Sequence, residues 1–88
     1  MKPTIGRIVH YRSKTGNYTM PAMIIATQDT LWDEGVKKGD VPAISDYMHV
    51  HLLCFTTCKQ IQYQEFDVEH VASASVAEPG TWWWPERV

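Results

Sequence analysis

Between Tyr47 and Phe55 the chain alternates strictly. Met48, Val50, Leu52 and Cys54 fall on one face, and Tyr47, His49, His51, Leu53 and Phe55 on the other. This period of two predicts a central strand. Upstream, the run "TIGRIVHYR" (4–12) is β-branched and aromatic, which predicts a first strand, and "KTGN" (14–17) follows as a turn in which Gly16 and Asn17 tolerate positive φ. A second strand is expected over "MPAMIIAT" (20–27), with Pro21 confined to its start or to an edge because proline cannot donate to a ladder. Residues 28–46 break both periods. Asp29 or Thr30 is suited to cap one helical turn there, but Gly35, Gly39 and Pro42 exclude a long helix, so a long loop is expected.

In "CKQIQYQEFDVEHVA" (58–72) the alternation starts with Ile61 and Tyr63 and resumes out of phase with Phe66 and Val68, which predicts a β-bulge near Gln64–Glu65. "TWWWPERV" (81–88) reads as a last short strand ended by Pro85. Five short strands and no convincing helix predict an all-β fold: a small SH3-like barrel, or a half-open five-stranded barrel, with one long loop (28–46) and with first and last strands able to pair. An α+β fold would need "FDVEHVASASV" to be helical, against its valines and serines.

Three of the four tryptophans stand together as Trp82, Trp83 and Trp84. Period two puts Trp82 and Trp84 on one face of the last strand, where two large indoles can fill a small core. Thr81 and Trp83 face the other way. Trp83 is thus expected to be exposed, or covered by the Trp32 loop, a second subunit or a ligand.

Composition bounds the rest. An 88-residue chain of ordinary globular make-up fits a single domain, 1–88. Its formal charge is −2, with scattered basic residues, so no footprint for duplex nucleic acid is legible. The start "MKPTIGRIV" lacks the apolar core of a secretion signal and no stretch reaches spanning length, which predicts a cytoplasmic protein with no membrane partner. Cys54 and Cys58 are then expected to be reduced thiols.

Candidate chemistry is sparse. His49 and His51 share a face, but Cys54 has the opposite parity, so the four potential ligands His49, His51, Cys54 and Cys58 cannot converge without a kink, and no metal is expected. The spacing between Cys54 and Cys58 is not that of a redox pair, and no nucleophile elbow or glycine-rich phosphate loop occurs. His10, His49, His51, Glu65, Asp67 and His70 could meet only through the fold. The expectation is a protein that is not an enzyme and needs no cofactor.

The opening "PTIGRIVHY" (3–11) and the closing "PGTWxWPERV" (79–88, position 83 open) resemble the two ends of a family of short bacteriophage-encoded hypothetical proteins. Such proteins often carry a polar residue such as His between the two tryptophans, where this chain has Trp83. The resemblance covers both ends, leaves the middle third unmatched, and implies a phage source without implying an activity.

Binding is what remains, in two forms. The first is a module that meets a host protein, or assembles as a homo-oligomer, through an aromatic surface of Tyr47, His49, His51, Phe55 and Trp83. The second is an anti-defence sponge that sequesters a nucleotide-like signalling molecule. In it, Trp32 and Trp83 would stack a base, and Arg7, Arg12 and Arg87 would neutralise phosphates. The two differ in whether those arginines converge beside Trp32 or Trp83 in a cleft.

Overall fold

The computed structural model describes residues 2–16, 18–56 and 62–85. Five strands close into a small barrel in the order β1 (Ile8–Arg12), β2 (Thr19–Ala26), β3 (Val50–Cys54), β4 (Tyr63–His70) and β5 (Thr81–Trp83). The neighbours β1–β2, β2–β3 and β3–β4 are antiparallel. β5 closes the barrel, running antiparallel to β1 and parallel to β4. The all-β, SH3-like barrel expected from the sequence is what forms, with first and last strands paired.

The core follows from strand parity. Val9 and Tyr11 of β1, Met20, Ala22 and Ile24 of β2, Val50, Leu52 and Cys54 of β3, Val68 of β4 and Trp82 of β5 point inward and are fully or almost fully buried. Met48, Tyr18, Tyr63 and Trp84 pack against this set from its margins. A closed barrel has no edge, yet Pro21 lies inside β2. It is tolerated because β3 ends beside it: Ala22 pairs with Cys54, and the Pro21 carbonyl accepts from the N–H of Phe55 just past the last pair.

Boundaries are where the sequence reading needs correction. The first strand starts at Ile8, not residue 4; Gly6 turns the chain with φ +86° and donates its N–H to the Ile24 carbonyl. β3 is shorter than 47–55, because the Asp46 carbonyl and carboxylate accept from the N–H groups of His49 and Met48 and hold that stretch in a turn. The 13–18 connection bends at Gly16 (φ +76°); Asn17 lies outside the described residues, as does Ile61.

The bulge falls two positions later than the period predicted. Val50 pairs with Val68 and Leu52 with Glu65, so the extra residue lies at Phe66–Asp67, not Gln64–Glu65. Asp67 takes the left-handed conformation (φ 52°) that a short polar side chain tolerates. A second slip sits at Ile25 of β2, where Ile24 pairs with Leu52 but Ala26 with His51.

The 28–46 segment is not all loop: it holds α1 (Asp33–Lys38). Its N-cap is Trp32, with no side-chain cap, so neither Asp29 nor Thr30 starts it. Thr30 instead bonds back to Thr27. Gly35 is needed inside the helix because a Cβ there would collide with the Trp32 ring and lie 2.7 Å from Val41 Cγ2. Gly39 (φ +81°) ends it, as the glycine pattern required.

The three indoles part company differently from the expectation. Trp82 is fully buried and Trp84 packs on the core margin, as expected, but Trp83 on the outer face is also buried, with 3% of its surface exposed. Two consequences are measurable in thermal unfolding. Val50→Asp places an unpartnered carboxylate on the core face and should abolish the cooperative melt; melting with the parent would refute the facing of β3. Trp83→Ala should cost about 3–5 kcal/mol, as Trp82→Ala does, whereas an unchanged melting temperature would mean that Trp83 is not part of the packed structure.

Candidate functional site

Covering an outward-facing tryptophan takes a second layer, and the chain supplies it around the end of β5. Gly80 (φ +78°) donates its N–H to the Arg12 carbonyl and launches β5 along β1, which places Trp83 opposite His10. The two rings meet edge-on at 5.8 Å. The Arg12 guanidinium, next outward position on β1, lies over Trp83 with its carbon 5.6 Å from the ring centroid. Past β4 the Val71 N–H bonds the Trp82 carbonyl, and a 3-10 turn at Ala74–Val76 arches alongside.

Between these parts lies a cleft of about 510 Å³, lined by His10, Ala72, Ser73, Ala74, Trp83, Trp84 and Pro85. That volume is in the range of small-molecule pockets. Trp84 meets Trp82 edge-on at 5.1 Å, and the Arg7 guanidinium stands 5.5 Å from the Trp84 ring. Two arginines are therefore stacked on the two indoles of one cleft.

Other expected site residues are dispersed. Tyr47 is exposed and Phe55 half-buried beyond β3. Trp32 is exposed over Gly35 on α1 and does not line the cleft. Arg87 and Cys58 lie outside the described residues. The aromatic surface of Tyr47, His49, His51, Phe55 and Trp83 does not assemble: Trp83 is on β5, which pairs with β1 and β4 and not with β3, and both Trp83 and His51 are buried. The 28–46 loop and the bulge cover the face of β3 that parity alone assigned to solvent.

His51 does that covering work. Its Nδ1 accepts from the Asp67 N–H at 3.0 Å, which requires the proton on Nε2, and Nε2 donates to the Pro42 carbonyl at 2.7 Å. One imidazole thus ties the bulge to the loop, with the Phe66 ring edge-on at 5.1 Å. Beside it, Asp67 accepts from the N–H and the hydroxyl of Ser45, whose oxygen is 2.7 Å from His49 Nδ1. These residue types suggest a hydrolytic triad, but the order is wrong for one. In a triad the carboxylate and the serine flank the imidazole at its two nitrogens, whereas here the Ser45 hydroxyl and the Asp67 carboxylate both meet His49 at Nδ1, at 2.7 and 3.4 Å. Among the described residues no group of three or more His, Cys, Asp or Glu is set to hold a metal ion.

Inside the barrel Cys54 is a free thiol that burial pushes up to about 12, so it stays protonated. The Tyr11 hydroxyl is also held neutral, by burial first and then by its 2.7 Å hydrogen bond to Glu65.

Of the residues lining the cleft, sequence reasoning named Trp83 as a binding residue and missed His10, Ala72, Ser73, Ala74, Trp84 and Pro85 as lining; Arg7 and Arg12, which it also named, cover the two indoles without lining the cleft. The one available signal was the run of small residues "ASAS" (72–75), which leaves room beside a large indole. No protein-family model matches the sequence, and no curated protein or solved structure matches it.

Two shifts give the acid limb of stability its form. Burial holds the His70 imidazole below its ordinary value, so the unfolded chain binds that proton more readily, and stability should decline as pH falls through about 6.5. For Asp67, burial acts upward but is outweighed by the Ser45 hydrogen bonds and by His49 and His51, so its carboxyl is lowered. Its contribution is present above about 3.9 and is lost as pH falls further through the folded value. Thermal melts from neutral pH to pH 2 should therefore show a two-step loss. Asp67→Asn, which keeps the left-handed backbone, should remove only the lower step; retention of that step would refute the Ser45 clamp.

Proposed function

We propose that this chain is a non-catalytic binding protein of a bacteriophage that sequesters a small, anionic, nucleotide-like signalling molecule in the host cytoplasm. The observation that carries the reading is that the two indoles lining a cleft of about 510 Å³, Trp83 and Trp84, are each covered by an arginine, Arg12 and Arg7. Positive charge held against the indoles of a tryptophan-walled cleft suits a sponge for an anion, and a flat protein-binding face does not need it. Among the described residues the cleft lining contains no Asp or Glu. The phage source rests on the resemblance of the two chain ends.

A second reading, contact with a host protein or assembly into a homo-oligomer, is favoured by a different observation. Tyr47 (62% exposed) and Phe66 (45% exposed) adjoin in sequence the Ser45–His49–Asp67 group, away from the residues that line the cleft. The barrel leaves those two rings in water.

Native mass spectrometry of the protein drawn from infected-cell lysate separates the readings. The expected spectrum is a chain carrying a nucleotide-sized adduct. Ala74→Trp, which fills the cleft from an exposed position on the 3-10 turn, should lose the adduct at an unchanged melting temperature. A multimer without adduct, unaffected by Ala74→Trp, would overturn the sponge in favour of the aromatic surface.

A further inference from the structure

The barrel wall made by β1, β2 and β3 is apolar on its outer side. Val9, Ala22, Ile24, Leu52 and Cys54 point inward, so alternation turns Ile8, Met23 and Leu53 outward, and the ladder sets them side by side: Ile8 pairs with Met23, and Met23 with Leu53. Pro21 and Ile25 extend this face along β2 on either side of Met23. None of the five is buried, and Ile8 and Ile25 keep 47% and 36% of their surface in water. The two strands that carry most of the face, β2 and β3, contain no Asp, Glu, Lys or Arg. On β1 the outward charge is Arg12, at the end of the strand opposite Thr19 and over Trp83. Apolar residues exposed singly are commonplace, but a connected row across three strands, bare of charge, is what an interface presents.

We propose that this face is where two copies of the chain meet, about a twofold axis. The occupant follows from charge, shape and size. Because the face is uncharged, closing it against itself strands no ion, whereas a foreign protein is selected through polar and charged complements that this face does not offer. Sites on a membrane surface surround their apolar patch with Lys and Arg, and β2 and β3 supply neither. A sheet face packs well on another sheet face, and a second copy brings one. Met23 lies between Ile8 and Leu53 in the row, so an axis at Met23 sets Ile8 of one copy against Leu53 of the other, and the reverse. The 8 residues of β2 run for about 26 Å and the three strands are about 15 Å across, a face of about 400 Å². Two such faces bury about 800 Å² together, below the roughly 1,200 Å² at which stable interfaces begin, so the dimer is weak and concentration-dependent. It is centred on β2 rather than on Tyr47 and Phe66, and it stands whether or not the cleft takes a nucleotide-like ligand.

The test is sedimentation equilibrium of the full chain from about 1 μM to about 500 μM, the range over which a contact of this size assembles. Monomer at the dilute end and dimer at the concentrated end are expected. Ile8→Lys and Ile25→Lys each place a charge on the face at a position that is already exposed in the monomer, so each should weaken dimerisation by about tenfold or more. Both should leave the melting temperature of the dilute monomer unchanged. Tyr47→Ser, in the turn ahead of β3, should leave dimerisation intact. A chain that stays monomeric throughout would overturn the proposal, as would a dimer that survives both lysine variants or is lost with Tyr47→Ser. Assembly beyond a dimer would overturn the twofold contact. A monomer that sediments with phosphatidylcholine vesicles, and is released from them by Ile8→Lys, would also overturn it and give the face to lipid.

Discussion

The insertion of Trp82 between β1 and β4 is the contact on which the barrel depends. β5 has only three residues, and with them it must bridge two strands that would otherwise be exposed edges. Trp82 supplies the means in one residue. Its ring is fully buried among the inward side chains of all four other strands, and its Nε1 donates to the Met48 carbonyl at 3.1 Å, satisfying the one polar atom it brings inside. Its carbonyl accepts from Val71, and His70 packs edge-on against it at 4.6 Å. A short strand gains little from its ladder, so an indole-sized burial at its centre is what makes closure worthwhile in so small a domain.

Closure has a price on the outside. Because side chains alternate, placing Trp82 inside forces Trp83 out, and a second large indole must be hidden without a second core. The solution uses residues β1 already presents outward, His10 and Arg12, together with the chain that returns from β4 through Ala72–Ala74. Small residues there cannot fill the space beside two indoles, and a cleft is left. The candidate site is thus a by-product of closing the barrel with consecutive tryptophans. Its charge also comes from that packing, since the groups that shield the rings are guanidiniums.

Where β3 meets β4, the structure is governed by the bulge at Phe66–Asp67. An extra residue leaves a backbone N–H without a strand partner, and His51 accepts it while donating to Pro42. A histidine that parity assigns to solvent or a partner is thereby used up holding the long loop against the sheet. Asp67, turned into the left-handed region by the bulge, grips Ser45 and completes the attachment. The two regions differ in kind: the bulge is knitted by hydrogen bonds, whereas the cleft is built of rings and guanidiniums packed on one another.

What the sequence by itself determined was everything that depends on period two. The inward set Val50, Leu52 and Cys54, the pairing of opposite faces at Trp82 and Trp83, the five strands and the glycine limits on any helix in 28–46 are local properties, fixed by alternation and by backbone conformations that only certain residues adopt. The existence of a bulge was legible as well, since a slip in phase must be absorbed somewhere in the ladder. Its position at Phe66–Asp67 was not, because that depends on which β3 residue each β4 residue meets. Burial of outward side chains was likewise decided only by tertiary structure. Parity says which face Trp83 and His51 take but not what lies over that face, and in both cases the cover comes from chain distant in sequence: β1 and residues 72–74 for Trp83, Pro42 and Asp67 for His51. Arg7 and Arg12 could be named as candidate anion ligands from their chemistry. That they stand on the two indoles of one cleft follows from β5 running beside β1, a non-local pairing that no periodicity along the chain records.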